Sequence, residues 1–166
     1  MGFSDAIRTC LRKYVTFSGR ASRPEYWYFF LFTLLLGLAA SIIDKAVFGV
    51  SPDSDGPASV LASLFVFLPM LSAGFRRMHD TGRSGLYLFY PLIALVGVIS
   101  FATMMGAADA LSTGNFEGLF TGLLGIVMIF AVIVLILSPL IVLWWLTRPS
   151  QPGANQYGAN PKEVSS

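Results

Sequence analysis

The chain has 166 residues, of which 55% are hydrophobic and only 12% charged, with a net charge of +2. An average soluble domain has about a quarter of its residues charged. Together with a mean hydropathy of +0.69, this composition excludes an ordinary soluble domain and points to one small membrane bundle.

In chain order, residues 1–25 do not read as a signal peptide. Arg8, Arg12, Lys13, Arg20 and Arg23 interrupt them, and no apolar stretch is followed by a small-residue cleavage site. Met1-Gly2 is not expected to carry a myristoyl group, because Ala6 stands where that signal needs Ser or Thr. Residues 3–17 read as an amphipathic helix. Phe3, Ile7, Cys10, Leu11, Tyr14 and Phe17 fall on one side, and Asp5, Arg8, Arg12 and Lys13 on the other. Such a helix suits either the membrane interface or the end of the chain's own bundle. Cys10 is the single cysteine, which excludes an internal disulfide and a cysteine-built metal site.

The turn from Gly19 to Glu25 leads into the first span, and Ser22 and Glu25 are spaced as a capping box with Pro24 in the first turn. Four spans are expected, at about 26–43, 58–75, 86–108 and 119–146. The first opens on the aromatic run Tyr26–Phe30, and the last closes on Trp144-Trp145, residue types that gather at the headgroup level. Pro69, Pro91 and Pro139 fall in the second, third and fourth spans, where a proline removes a helix hydrogen bond. The connection Asp44–Pro57, which includes Pro52 and Asp53, and the connection Asp109–Gly118 are polar and rich in turn formers. Gly118, Gly122 and Gly125 offer a weak match to a helix-packing glycine motif. The tail, 148–166, is dense in Gly, Pro and Asn and builds no core of its own.

Between the second and third spans lies the most polar stretch, Arg76-Arg77-Met78-His79-Asp80-Thr81-Gly82-Arg83-Ser84-Gly85, read as a loop. Five basic residues precede the first span, three lie in this stretch, and Arg148 and Lys162 lie in the tail; Lys45 alone occupies the other two connections. Ten against one places both termini and the Arg76–Gly85 stretch in the cytosol by the positive-inside rule. No ionisable residue falls inside the expected spans. That weighs against a proton- or ion-coupled transporter, in which such residues mark the pathway.

Three motifs then stand together: Phe17–Arg23 with Glu25-Tyr26-Trp27; Arg76–Gly85; and Gly153, Asn155, Tyr157-Gly158 and Asn160-Pro161. They resemble the YhaH-like family of bacterial inner-membrane proteins, domain of unknown function 805, over nearly the whole chain. Leu86 departs from the pattern, which has an aromatic residue there. The resemblance implies a four-span inner-membrane protein and brings no known reaction, cofactor or catalytic residue.

Two readings of the polar residues follow. In the first, Arg20, Arg23, Arg76, Arg77 and Arg83 form an anion site. Gly82 and Gly85 allow close backbone approach, and Asn155 and Tyr157 lie in a tail folded over the site. At that depth the ligand is a membrane lipid with an anionic headgroup. In the second, the arginines orient the chain in the bilayer and pair internally with Asp80 and Glu25. His79 and Asp80 are the candidates for acid–base chemistry. A single histidine does not make a metal centre, and Asp80-Thr81-Gly82 also reads as a turn held by the aspartate. Gly19–Ser22 and Gly82–Ser84 echo one another ahead of the first and third spans, as in a parallel repeat.

The sequence therefore predicts an all-α membrane protein with four transmembrane helices, an N-terminal amphipathic helix and both termini cytoplasmic. It needs no cofactor, metal or nucleic acid. Its function reads as non-enzymatic binding or scaffolding, toward anionic lipid or a membrane-protein partner, with homo-oligomers allowed. The alternatives are an enzyme on a lipid-linked phosphate using His79 and Asp80, and an oligomeric channel or transporter.

Overall fold

A computed structural model describes residues 1–51, 54–161 and 163. The expected turn at Pro52-Asp53 and the basic residue Lys162 lie outside the described residues. Six α-helices are found among those described: α1 Phe3–Arg12, α2 Arg23–Phe48, α3 Pro57–Asp80, α4 Tyr90–Met104, α5 Ala107–Thr113 and α6 Gly122–Thr147. Four helical stretches are long and apolar enough to cross a membrane: Arg23–Phe48, Pro57–Asp80, Gly85–Met104 and Gly122–Thr147. Their outward faces are apolar, as with Leu31, Leu34, Leu35, Leu38 and Ile42 of α2. No β-sheet occurs among the described residues, only a bridge between Asn155 and Gly158.

The chain divides into two compact units. The first holds Met1–Gly85 together with the chain from Leu146 onward. Here α2 and α3 pack against each other, and α1 packs on both. Ala6 and Cys10 bury the small-residue edge of α1, while Phe3 meets Tyr28 edge-on at 6.1 Å. The second unit, Leu86–Trp145, holds α4, α5 and most of α6. Tyr87, Tyr90 and Trp145 form a ring cluster there, with centroids 4.8–5.7 Å apart.

Element boundaries differ from the sequence reading for identifiable reasons. The N-terminal helix stops at Arg12 rather than reaching residue 17, where β-branched Val15 and Thr16 precede Ser18-Gly19. Ser22 caps α2 by accepting the Glu25 N–H at 3.4 Å, but the Glu25 carboxylate turns to Arg76, so only half of the capping box forms. Residues Arg76–Asp80 are the last turns of α3, not a loop. Nothing in that pentad breaks a helix. The helix ends at Asp80 with Thr81 as its cap, and Gly82 next to it has a φ of +76° that fits a left-handed stop. Its N–H donates to the His79 carbonyl and the Arg83 N–H to the Met78 carbonyl, both at 3.0 Å, which is the Schellman pattern.

The continuous span expected at 86–108 is broken. It starts as the 3-10 turn Gly85–Phe89, and α4 ends at Met104 before Gly106 (φ +89°) opens α5. Gly118 lies in a 3-10 turn ahead of α6, and Gly122 has φ +67°. The two do not share a helix face, so the glycine spacing makes no packing stripe.

Far along the first unit, the N-cap of α3 is Gly56, which has no side chain to cap with. Asp44 of α2 supplies the cap from a distance, accepting the Ala58 and Ser59 N–H groups at 2.8 Å each. A β-carbon at Gly56 would overlap that carboxylate.

The prolines inside α3 and α6 each leave the carbonyl four residues earlier without its helical donor. Hydroxyls fill both places. Tyr14 donates to the Phe65 carbonyl at 2.6 Å, four residues before Pro69, and Ser138 donates to the Leu135 carbonyl at 3.0 Å, four before Pro139. Away from water an unsatisfied carbonyl costs about 1–3 kcal/mol, so the Tyr14 bond ties the end of the N-terminal segment to α3. Tyr14→Phe should lower stability in detergent by about 1–2 kcal/mol. The loss should shrink when Pro69→Ala restores the helical N–H. Equal losses with and without Pro69→Ala, in a double-mutant cycle of unfolding, would remove this explanation.

Candidate functional site

At one end of the first unit, the start of α2, the last turns of α3 and the returning chain after Leu146 converge on buried charge. Asp80 is at the centre, its carboxylate fully buried. One oxygen accepts Arg20 Nε at 3.0 Å and the other pairs with Arg77 of the same helix turn. Among the described residues its carboxylate makes no local backbone bond of the kind the turn reading gives it, because it lies in the last turn of α3, which presents it to two guanidinium groups. Arg76 points elsewhere, pairing with buried Glu25 and reaching Cys10 Sγ at 3.9 Å.

Two guanidinium groups on one carboxylate leave an excess positive charge, and charge away from water must be compensated. Backbone carbonyls do this. Arg20 donates to the carbonyls of Gln151 at 2.5 Å, Gly153 at 2.7 Å and Gly158 at 3.3 Å. Arg77 donates to those of Leu146 at 2.9 Å, Ala21 at 3.5 Å and Arg148. The tail is thereby wrapped around Arg20 in an ordered turn. Gly153 and Gly158 adopt φ of +64° and +129° there, a region that favours glycine.

The tail also closes over His79. Tyr157 stacks on the imidazole with centroids 3.8 Å apart and planes 3° from parallel. The Asn155 amide donates to the His79 carbonyl at 2.9 Å and to Gln151 Oε1 at 3.0 Å, and the Gln151 N–H donates to the Asp80 carbonyl at 2.9 Å. His79 Nδ1 faces the Gly19 carbonyl at 3.1 Å. In a neutral ring this assigns the proton to Nδ1.

The residues proposed from sequence are thus separated into groups. Arg20, Arg76 and Arg77 are buried and committed to carboxylates and carbonyls. Arg23 is half-buried in the first turn of α2 and makes no ion pair among the described residues. Arg83 donates to the Thr81 carbonyl at 3.0 Å. Gly82 stops α3 and lies against Gln151, whose Oε1 a β-carbon would meet at 2.6 Å. A β-carbon at Gly85 would overlap the Phe75 ring, so its close approach is to this chain's own side chain. Asn155 and Tyr157 hold the tail. No group of three or more His, Cys, Asp or Glu suited to a metal occurs among the described residues.

Sequence reasoning missed Gln151, the Asp44 cap and the Arg76–Cys10 contact. Asp44 had one legible sign: a helix beginning Gly56-Pro57 lacks a Ser, Thr, Asn or Asp cap and requires an acceptor from elsewhere.

Comparison with known proteins places the chain in a family. The model of the family described as "Protein of unknown function (DUF805)" matches residues 14–116. The chain belongs to this family. It is 36% identical over 87 residues to "Inner membrane protein YhaH" of Escherichia coli K12, covering 52% of this chain and 72% of that protein. It is 37% identical over 108 residues to "Inner membrane protein YhaI" of the same strain, covering 63% of this chain and 88% of that protein. No solved structure matches. With four helices of membrane-crossing length, this DUF805 chain is a membrane protein. The family match spans two of the three motifs, Phe17–Trp27 and Arg76–Gly85, and stops before the tail that folds onto them.

Cys10 reports on this packing. Burial first, then the nearby Glu25 charge, pushes its thiol up to about 11, against the opposing pull of Arg76. The thiolate is the reactive form, so it is scarce at neutral pH and grows as pH approaches that value. Maleimide should label the folded protein slowly at neutral pH, faster as pH rises, and at once after denaturation. Rapid labelling of the folded chain at neutral pH would show that α1 does not seat against Arg76 and Glu25.

Proposed function

We propose that this protein resides in the inner membrane with both ends in the cytosol, and that its cytosolic end is a binding platform rather than a catalytic site. The location is supported by the names of the two relatives, both inner membrane proteins, and by the four apolar helices. The orientation rests on the ten-to-one distribution of basic residues. By that distribution, the network around Asp80 lies on the cytosolic side and the Asp44 cap on the far side.

The observation that carries the binding reading is the commitment of Asp80. Both of its oxygens are held by arginine, and His79 beside it is stacked by Tyr157 and bonded through Nδ1. A general acid or base needs a free site within reach of a substrate proton, and the buried pair Arg20–Asp80 offers none. The charge network instead fixes three distant chain segments into one surface. That surface is suited to engaging anionic lipid headgroups or a protein partner.

Two measurements test this together. An alkaline phosphatase fusion after Ser166 should be inactive and one after Asp55 active. The purified protein in lipid should release no phosphate from lipid-linked phosphate esters. The reverse fusion pattern removes the orientation. Turnover that is abolished by His79→Ala, with insertion intact, replaces the binding platform with an enzyme.

A further inference from the structure

The basic residues at this end of the first unit fall into two classes, and the division indicates where an anionic partner binds. Arg20, Arg76 and Arg77 are buried with carboxylate partners. Arg8 and Arg12 are exposed one helical turn apart on α1, and Lys13 is half-exposed beside them. None of these three makes an ion pair among the described residues. The one acid of α1, Asp5, accepts the Gly2 N–H at 3.1 Å.

A second observation comes from α2. Arg23 sits in its first turn, at the positive end of the helix dipole, where a cation is disfavoured. Among the described residues it makes no ion pair. An approaching anion offsets that placement and supplies a countercharge.

The rest of the surface of α1 narrows the kind of anion. Its Ala6 and Cys10 edge is fixed against the spans, so it cannot roll to hide its cations. Large apolar groups stand exposed on the same N-terminal segment: Met1 at 58%, Phe3 at 37% and Val15 at 61%. Outward cations on a helix packed against membrane-spanning helices, with exposed apolar groups toward its two ends, fit the headgroup level of a bilayer. A soluble phosphate satisfies the cations and leaves the apolar groups in water. Lipid satisfies both.

We infer that Arg8, Arg12, Lys13 and Arg23 form a docking surface for anionic phospholipid headgroups, which holds α1 at the membrane face. The buried arginines position this surface and do not touch the ligand. The inference names the ligand class of the binding platform proposed above and rests on that reading of this end of the molecule. Its test in defined lipid does not depend on orientation in the cell.

The full chain is reconstituted in phosphatidylcholine vesicles with and without phosphatidylglycerol, and amide exchange of α1 is followed by mass spectrometry. Phosphatidylglycerol should slow exchange across Phe3–Arg12, and added salt should reverse the effect. The triple variant Arg8→Gln, Arg12→Gln, Arg23→Gln should lose the lipid dependence while Cys10 stays slow to alkylate, which reports intact packing. Native mass spectrometry should show phosphatidylglycerol retention weakened by roughly fivefold for each arginine removed. Three results overturn the inference: no difference between the two vesicles, a triple variant that responds like the parent, or displacement of the lipid by inorganic phosphate. If the fusions place α1 outside the cell while the phosphatidylglycerol effect persists, the orientation fails and the lipid surface stands.

Discussion

Two guanidinium groups sharing one buried carboxylate is the constraint on which this end of the protein depends. Arg20 and Arg77 both pair with Asp80, and the sum is one positive charge too many for a site closed to water. Burying that charge is unfavourable unless its donors are satisfied. Six backbone carbonyls do so, from Ala21, Leu146, Arg148, Gln151, Gly153 and Gly158. Four of these carbonyls belong to the chain beyond α6, at Arg148, Gln151, Gly153 and Gly158. A tail with no apolar core is therefore ordered because its backbone solvates an arginine. The same requirement brings Tyr157 over His79 and Asn155 onto the end of α3.

The network accounts for residue choices that a loop would not need. Arg20 engages a carboxylate and three carbonyls at once. A planar, five-donor guanidinium does this and an ammonium does not. Asp80 must reach partners on both sides, which it does only because α3 continues helically to it and then stops before Gly82. Arg76, one residue before Arg77, secures α1 through Cys10 and α2 through Glu25. The two systems lie on neighbouring residues of one helix turn. Together they link α1, α2, α3 and the tail.

Much of this was legible in the sequence. Hydropathy located the four long apolar helices, and the three polar motifs pointed to the family. Internal pairing of the arginines as a group with Asp80 and Glu25 is one of the two readings the residue types allow. What sequence did not reveal was the partner set made of backbone carbonyls, since a carbonyl carries no residue signature; Gly153, Gly158 and Asn155 signalled turns only. The charge in Arg76–Asp80 reads as a loop in sequence, although none of those residues ends a helix, and α3 runs to Asp80. Asp44 was read as a boundary marker, when it caps a helix whose own first residues cannot. The separation of buried from exposed arginines was likewise hidden, because one-dimensional charge counting treats all eleven basic residues alike.

Asp80 is the group that orders the tail. Amide exchange of the full chain in detergent, read over residues 151–160 for the parent and for Asp80→Asn, tests it most directly. Asp80→Asn should leave Arg20 and Arg77 without their countercharge, a loss of about 3–5 kcal/mol. Residues 151–160 should then exchange as an unprotected tail while the middle of α2 and of α3 keeps its protection. A tail that stays as protected in Asp80→Asn as in the parent would contradict it.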